Sequence, residues 1–151
     1  MSGNNNYEVI IIGAGSVGTP TALFLAEAGF KVLVIDKNPS SGQGSNKRAI
    51  GGLRATHSDP AKIHLSMRSL DIISSWQEKY GDDLEWHKGG YCFVAYQEEE
   101  EKILKEVLPL QKSLGLNINW LEAEELRQLL PDLNPHELRG GTLSPDDGHA
   151  S

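Results

Sequence analysis

Residues 7–36 read YEVIIIGAGSVGTPTALFLAEAGFKVLVID, and the order of the parts in this stretch decides the fold. Tyr7, Val9, Ile10, Ile11 and Ile12 form a β-branched, nearly continuous apolar run, the pattern of a strand buried on both faces of a parallel sheet. A tight cluster, Gly13-Ala14-Gly15-Ser16-Val17-Gly18, follows at once. Val17, Thr21, Phe24, Leu25 and Ala28 then recur at helical spacing up to Gly29, a natural helix end. Lys31 to Ile35 is a second strand-like run that stops at Asp36. The stretch predicts one βαβ unit with an acid about 20 residues past the glycines.

That order carries chemistry. Gly13 permits a tight turn out of the strand, Gly15 lets the backbone approach a pyrophosphate, and Gly18 lets the helix pack against the strand. Free N–H groups around Ser16 and Val17, with the positive end of the helix dipole, face the phosphates. Asp36 closes the second strand, where it can accept hydrogen bonds from the ribose hydroxyls of an adenosine and repel a 2′-phosphate, which disfavours NADP. Pro20, early in the helix, predicts a distortion of the first turns.

Composition bounds the rest. A chain of 151 residues suffices for one domain of ordinary size, and 38% apolar with 23% charged residues is the balance of a globular protein. Fourteen basic against twenty-one acidic residues give a net charge of −7, which argues against nucleic acid or an anionic membrane as partner. Cys92 is the single cysteine, so no internal disulfide framework exists, and a reducing, cytoplasmic location is expected. Val9 to Ile12 is too short for a membrane span or a signal sequence.

Residues 1–6 are a polar, Asn-rich lead, expected to be mobile. Asn38 to Arg54 mixes Pro39, Gly42, Gly44, Gly51 and Gly52 with Ser, Gln and Asn and has no period of either kind, so it is expected to be a long loop, functional or mobile. Together with the glycine cluster, Asp36-Lys37, Gly44-Ser45-Asn46-Lys47-Arg48 and Gly51-Gly52-Leu53-Arg54 resemble the flavin-binding start of the D-amino-acid oxidase superfamily. That superfamily includes glycine oxidase, the β subunit of sarcosine oxidase and dye-linked proline dehydrogenase β subunits. The resemblance implies that FAD is the cofactor. Its adenosine half falls to Gly13, Gly15, Gly18 and Asp36, with Ser16, Val17 and Lys37 also binding the cofactor. Its pyrophosphate and flavin half falls to Gly44, Ser45, Asn46, Arg48, Gly51, Gly52 and Leu53. Small residues there allow backbone donors to approach a cofactor, and Ser45 and Arg48 can supply phosphate or flavin hydrogen bonds. The plain alternative for Arg48 and Arg54 is solvated surface charge. Some members tether FAD through a histidine in this loop; none lies between Asp36 and Arg54, which implies non-covalent FAD.

Asp59-Pro60 is expected to open a helix with Asp59 as N-cap, carrying a stripe of Ile63, Met67, Leu70 and Ile73, widened by Leu65, Ile72 and Trp76, up to Tyr80-Gly81. Leu84–Lys88 and Tyr91–Tyr96 read as extended pieces, with Cys92 a buried structural thiol in the second. Glu98 to Glu101 occupy the first turn of a helix striped by Ile103, Val107, Leu110 and Leu114, kinked by Pro109 and ended by Gly115. Leu116–Trp120 is a strand candidate, Leu121–Leu130 a short helix stopped by Pro131, and Leu138–Leu143 a further strand. Pro145-Asp146-Asp147-Gly148-His149 resembles the superfamily's turn back toward the flavin domain.

The expected fold is therefore α/β, a Rossmann-like FAD-binding βαβ unit with the start of an α+β substrate domain, incomplete as it stands. Residues 1–80 would be the N-terminal part of the FAD-binding domain, and 81–151 the beginning of the substrate domain. The resemblance implies oxidation of the C–N bond of a small amine or amino acid of the glycine, sarcosine or proline type. The remainder of the same polypeptide or a complementary subunit would supply what is missing. Alone, the chain is expected to expose strand edges and apolar faces. No catalytic residue and no metal ligands are identifiable. Two alternatives stay open: an NAD-dependent dehydrogenase, and a non-catalytic FAD- or nucleotide-binding subunit.

Overall fold

The computed structural model describes residues 6–150; the first five residues of the polar lead lie outside the described residues. Two compact units are present, one up to Ile50 and one from Gly51 onward. Both are mixed assemblies of helix and strand.

In the first unit, β1 (Val9–Ile12) and β2 (Val32–Ile35) pair in parallel, from Val9 opposite Val32 to Ile12 opposite Ile35. Helix α1 (Gly18–Glu27) makes the crossover, and Gly29, at φ +93°, ends it in the left-handed conformation that favours glycine. The β1 side chains alternate between half-buried and exposed, so the strand is not buried on both faces: Ile10 is 59% and Ile12 84% exposed. The reason is architectural. Val9 and Ile11 lie toward the helix side, where a Cβ on Gly18 would meet Ile11, while the other face of the pair carries no layer of its own among the described residues of this unit. Pro20 does not interrupt α1. It falls in the first turn, where the missing N–H matters least, and the hydroxyls of Thr19 and Thr21 donate to the carbonyls of Gly15 and Val17 at 2.9 and 2.7 Å. The segment after Asp36 is less featureless than its composition suggests: Ser45–Arg48 forms a 3₁₀ turn.

The second unit opens with β3 (Gly52–Leu53), paired antiparallel with β7 (Gly148–His149). Asp59 caps α2 (Pro60–Ser74) by accepting the Lys62 amide at 2.9 Å, as its sequence predicts. The helical run to Tyr80 is broken once. The Ser75 hydroxyl donates to the carbonyls of Asp71 and Ile72, separating α2 from α3 (Trp76–Tyr80). A three-stranded antiparallel sheet follows in the order β4 (Tyr91–Ala95), β6 (Gly140–Ser144), β5 (Asn119–Glu122). Leu84–Lys88 forms no strand; only His87 bridges, to His149.

Helix α4 (Glu98–Ser113) starts with a capping box between Gln97 and Glu100 and runs through Pro109 to Gly115 at φ +91°. Of the expected stripe, Val107, Leu110 and Leu114 are half-buried, Leu114 packing on the core together with Leu108, but Ile103 is 51% exposed and the buried residue of the helix is Gln111. The core itself gathers Ala55, Ile63, Leu116 and Ile118, flanked by Met67 and Leu70. Leu65, counted in the α2 stripe, is 71% exposed. Leu116 and Ile118 do belong to the core, but as a lead into β5, which begins only at Asn119. Helix α5 (Ala123–Leu129) buries Leu126 and ends before Pro131.

Candidate functional site

Beyond β1, the Gly13 amide donates to the Ile35 carbonyl at 2.7 Å, so the parallel pairing extends one step into the turn. Gly13 has φ +110°, a conformation that side chains strain. A Cβ on Gly18 would collide with the Gly13 carbonyl oxygen, so only glycine lets α1 come this close to the turn. A Cβ on Gly15 would meet nothing within 4 Å. Its missing side chain leaves open space beside the backbone. The first helical hydrogen bond runs from Thr19 to Gly15, so the amides of Gly15, Ser16 and Val17 precede the ladder and point where the dipole is positive.

Asp36, 22 residues beyond Ala14, completes the turn from β2. One carboxylate oxygen accepts the Ala14 amide at 2.7 Å; the other accepts the Asn38 amide at 2.8 Å and its side-chain amide at 3.0 Å. The Ala14 amide, followed by that of Asn38, holds the Asp36 carboxyl below its ordinary range. Gly42 donates to the Ala14 carbonyl at 2.8 Å, which brings the following loop against the turn.

Two adjoining clefts result. One, of about 480 Å³, is lined by Gly13, Gly15, Asp36, Lys37, Asn38 and Gly44 among others; the second, of about 530 Å³, runs along Gly13, Gly15, Ser16, Val17, Gly18, Gly44, Ser45 and Asn46. Of the sequence-predicted residues in the first unit, only Arg48 lines neither; it ends the 3₁₀ turn, exposed. Open amides, an uncluttered Gly15 and a carboxylate at the strand end are a donor set that fits the pyrophosphate and ribose of a dinucleotide.

The remaining predicted residues, Gly51, Gly52 and Leu53, belong to the second unit. Gly51 has φ +76°, and a Cβ there would strike the Ala150 carbonyl oxygen. Arg54 is not a solvated surface charge. Half-buried, it donates to the Thr56 carbonyl and sits 5.0 Å from the ring centre of Phe93 and 5.7 Å from that of Tyr91. His57 beside it is held below its ordinary value, first by burial and then by the charges of Arg54 and Lys62. Cys92 is half-buried rather than buried, and that burial raises its thiol, in keeping with an inert structural cysteine.

Sequence reasoning missed Asn38, which orients Asp36, and Asp147, a carboxylate 1% exposed that accepts the Ala55 amide at 2.9 Å. Asn38 was legible as an Asx-type residue at a strand end. Asp147 sits in a run that reads only as a turn, and nothing in one dimension marks its burial.

Known proteins share this arrangement. The sequence profile of the family described as DAO, FAD dependent oxidoreductase, matches residues 8–151. The Drosophila melanogaster homolog of FAD-dependent oxidoreductase domain-containing protein 1 is 31% identical over 141 residues, covering 90% of this chain and 27% of that relative. Among solved structures, L-proline dehydrogenase from P. horikoshii superposes with a TM-score of 0.88 at 32% identity, over 96% of this chain and 38% of that one. Glycine oxidase from Geobacillus kaustophilus does so with 0.82 at 26%, over 96% and 40%. The chain thus spans between a quarter and two-fifths of the length of these relatives. No helix among the described residues is long and apolar enough to cross a membrane.

Proposed function

The chain belongs to the DAO family of FAD-dependent oxidoreductases, and from that premise we propose that it forms the amino-terminal, FAD-holding part of an enzyme that oxidises the C–N bond of an amino acid or secondary amine of the glycine, sarcosine or proline type. The observation that carries the cofactor reading is the glycine turn, whose one essential close approach, Gly18 on Gly13, leaves the Gly15 side open with Asp36 at its edge. The substrate class rests on the names of the relatives, glycine oxidase and L-proline dehydrogenase. Residues 1–80 would serve as the FAD-binding part and 81–151 as the beginning of the substrate domain. What lies outside this chain, in the same polypeptide or a complementary subunit, would complete the substrate site.

Bound FAD supplies the two-electron acceptor that turns the C–N bond into an imine, which water then hydrolyses. The residues of this chain bind and orient. The amides of Gly15, Ser16 and Val17 would take the pyrophosphate, assisted by Gly18, which keeps α1 close. Asp36 keeps a free lone pair on the oxygen that binds Ala14, enough for one ribose hydroxyl. The second hydroxyl is accepted when the Asn38 side chain turns aside, and Lys37 lies at the same edge. Gly44, Ser45, Asn46 and Arg48 would follow the pyrophosphate and ribityl chain, and Gly51, Gly52 and Leu53 would pass beside the flavin ring. With no histidine between Asp36 and Arg54, FAD would be held non-covalently. The single cysteine suits a reducing compartment, for which the cytoplasm is our reading.

A visible absorption spectrum of the full-length native protein tests this, taken before and after denaturation and again with glycine, sarcosine or proline added anaerobically. Flavin bands that are released on denaturation and bleach with one of the amines are the expected result. Absence of flavin bands together with tight NAD binding would overturn it. Bound flavin that no amine bleaches would leave a non-catalytic flavin-binding subunit in its place.

A further inference from the structure

We propose that Asp147 is the positioning residue for Arg54 and the Gly52–Thr56 segment, a role that rests on reading that segment as the one beside the flavin. The Asp147 carboxylate is 1% exposed and reaches back across more than ninety positions: one oxygen accepts the Ala55 amide at 2.9 Å, the other the Thr56 hydroxyl at 3.3 Å. Its own carbonyl accepts the Gly90 amide at 2.8 Å, just before β4. One residue therefore ties the end of β3 and the entry of β4 to the turn between β6 and β7.

Arg54 depends on both tied ends. Its guanidinium donates to the carbonyl of Thr56, and it lies over Phe93 and Tyr91, which β4 presents. Release of Thr56 would free the carbonyl that anchors Arg54 and let a long, flexible cation return to water. Among the described residues the carboxylate has hydrogen-bond donors and no salt bridge, its charge reaching His57 only at longer range, and burial holds its pKa above the ordinary value. A buried charge is costly where a neutral residue would close a turn equally well. What a carboxylate offers is two oxygens that only accept, for the donors gathered around it: the Ala55 amide, the amide and hydroxyl of Thr56, and the Ser144 hydroxyl.

The test uses the full-length native protein, freed of cofactor and then with FAD. In the cofactor-free chain the Arg54 Nε–H resonance should be shifted by the ring currents of Phe93 and Tyr91, and the Ala55 amide should exchange slowly. Asp147→Asn, whose amide oxygen still accepts from Ala55 but whose NH₂ faces the Thr56 amide, should keep the slow Ala55 exchange and should weaken the Arg54 shift and FAD affinity less than Asp147→Leu does. Asp147→Leu should abolish the Arg54 shift and lower FAD affinity by roughly tenfold or more, as expected when buried donors lose their acceptor.

An Arg54 shift that survives Asp147→Leu overturns the proposal, and so does a lost shift with FAD affinity unchanged. Should Asp147→Leu not fold, Thr56→Val decides: it deletes one donor and keeps the shape, so an altered Arg54 shift with FAD affinity down by about threefold supports the role, and no change in either overturns it. If the native chain binds no FAD, the functional reading fails for this chain while the Arg54 shift still decides whether Asp147 positions it.

Discussion

Up to Ile50 no described side chain is buried, whereas from Gly51 onward Ile63, Ala95 and Leu126 are fully removed from solvent and Ile118 nearly so. The first unit is organised by backbone: a parallel strand pair, a glycine turn and a carboxylate that accepts amides. Side chains organise the second, closing over a core of Ile63, Leu116 and Ile118. The difference teaches that the residues which would hold a cofactor and the residues which supply folding energy are largely separate sets here. A ligand bound at the glycine turn would stabilise the first unit by mass action, about 2.7 kcal/mol at a hundred times its dissociation constant.

The largest expected effect lies in the core. Ile63→Ala should cost the second unit about 2–5 kcal/mol, since the cavity it leaves is fully enclosed. Urea unfolding followed by tryptophan fluorescence reads this unit alone, because Trp76, Trp86 and Trp120 all lie within it. Ile12→Ala, at a position 84% exposed, should leave the stability of the first unit within about 0.5 kcal/mol, read by hydrogen exchange of the Gly13 amide that donates to Ile35. A large loss at Ile12 and a small one at Ile63 would reverse the comparison.

Next comes the glycine turn. Gly18→Ala places a methyl group against the Gly13 carbonyl, a backbone atom that cannot yield cheaply, and overpacking of this kind costs about 1–3 kcal/mol. FAD affinity, measured by quenching of flavin fluorescence, should fall by roughly 10- to 100-fold. Gly15→Ala meets no protein atom, so the cofactor-free chain should unfold unchanged and only the affinity should drop. Equal affinity in Gly15→Ala and the native chain would show that no phosphate comes close to that backbone.

How much of this was legible in sequence follows the same division. The β1–α1–β2 order, the Asp36 position and the Asp59 cap were readable because each is a local signal: a β-branched run, glycines at fixed spacing, an acid at a strand end, Asp before Pro. Burial was not. Four consecutive apolar residues look the same whether one face or two is covered, so Ile10 and Ile12 were read as enclosed. On α4 spacing alone groups Ile103 with Val107, Leu110 and Leu114, and only what packs against the helix leaves Ile103 exposed while the other three are half-buried. Arg54 and Asp147 were illegible for a further reason: a charged residue is buried by partners dozens of positions away, and one-dimensional spacing carries no trace of Phe93 or Ala55.

The smallest expected effect separates two aspartates that do the same job in different surroundings. Asp36 and Asp147 each accept a distant backbone amide, Ala14 and Ala55 respectively. Exposed Asp36 is pulled below the ordinary value of 3.8 by the Ala14 and Asn38 amides, while burial pushes Asp147 above it. The linkage therefore has opposite signs. Stability from Asp36 is present above pH 3.8 and is lost as pH falls through its lower folded value; for Asp147 the protonated form is favoured by folding, so its contribution declines as pH rises from 3.8 through its higher folded value and then levels off. Following the two amides by NMR during an acid titration makes the contrast visible: Ala55 should move at higher pH than Ala14. Asp36→Asn should remove only the Ala14 titration and Asp147→Asn only that of Ala55. A single shared midpoint would mean that burial does not set Asp147 apart, and the second unit would then be held by the same exposed chemistry as the first.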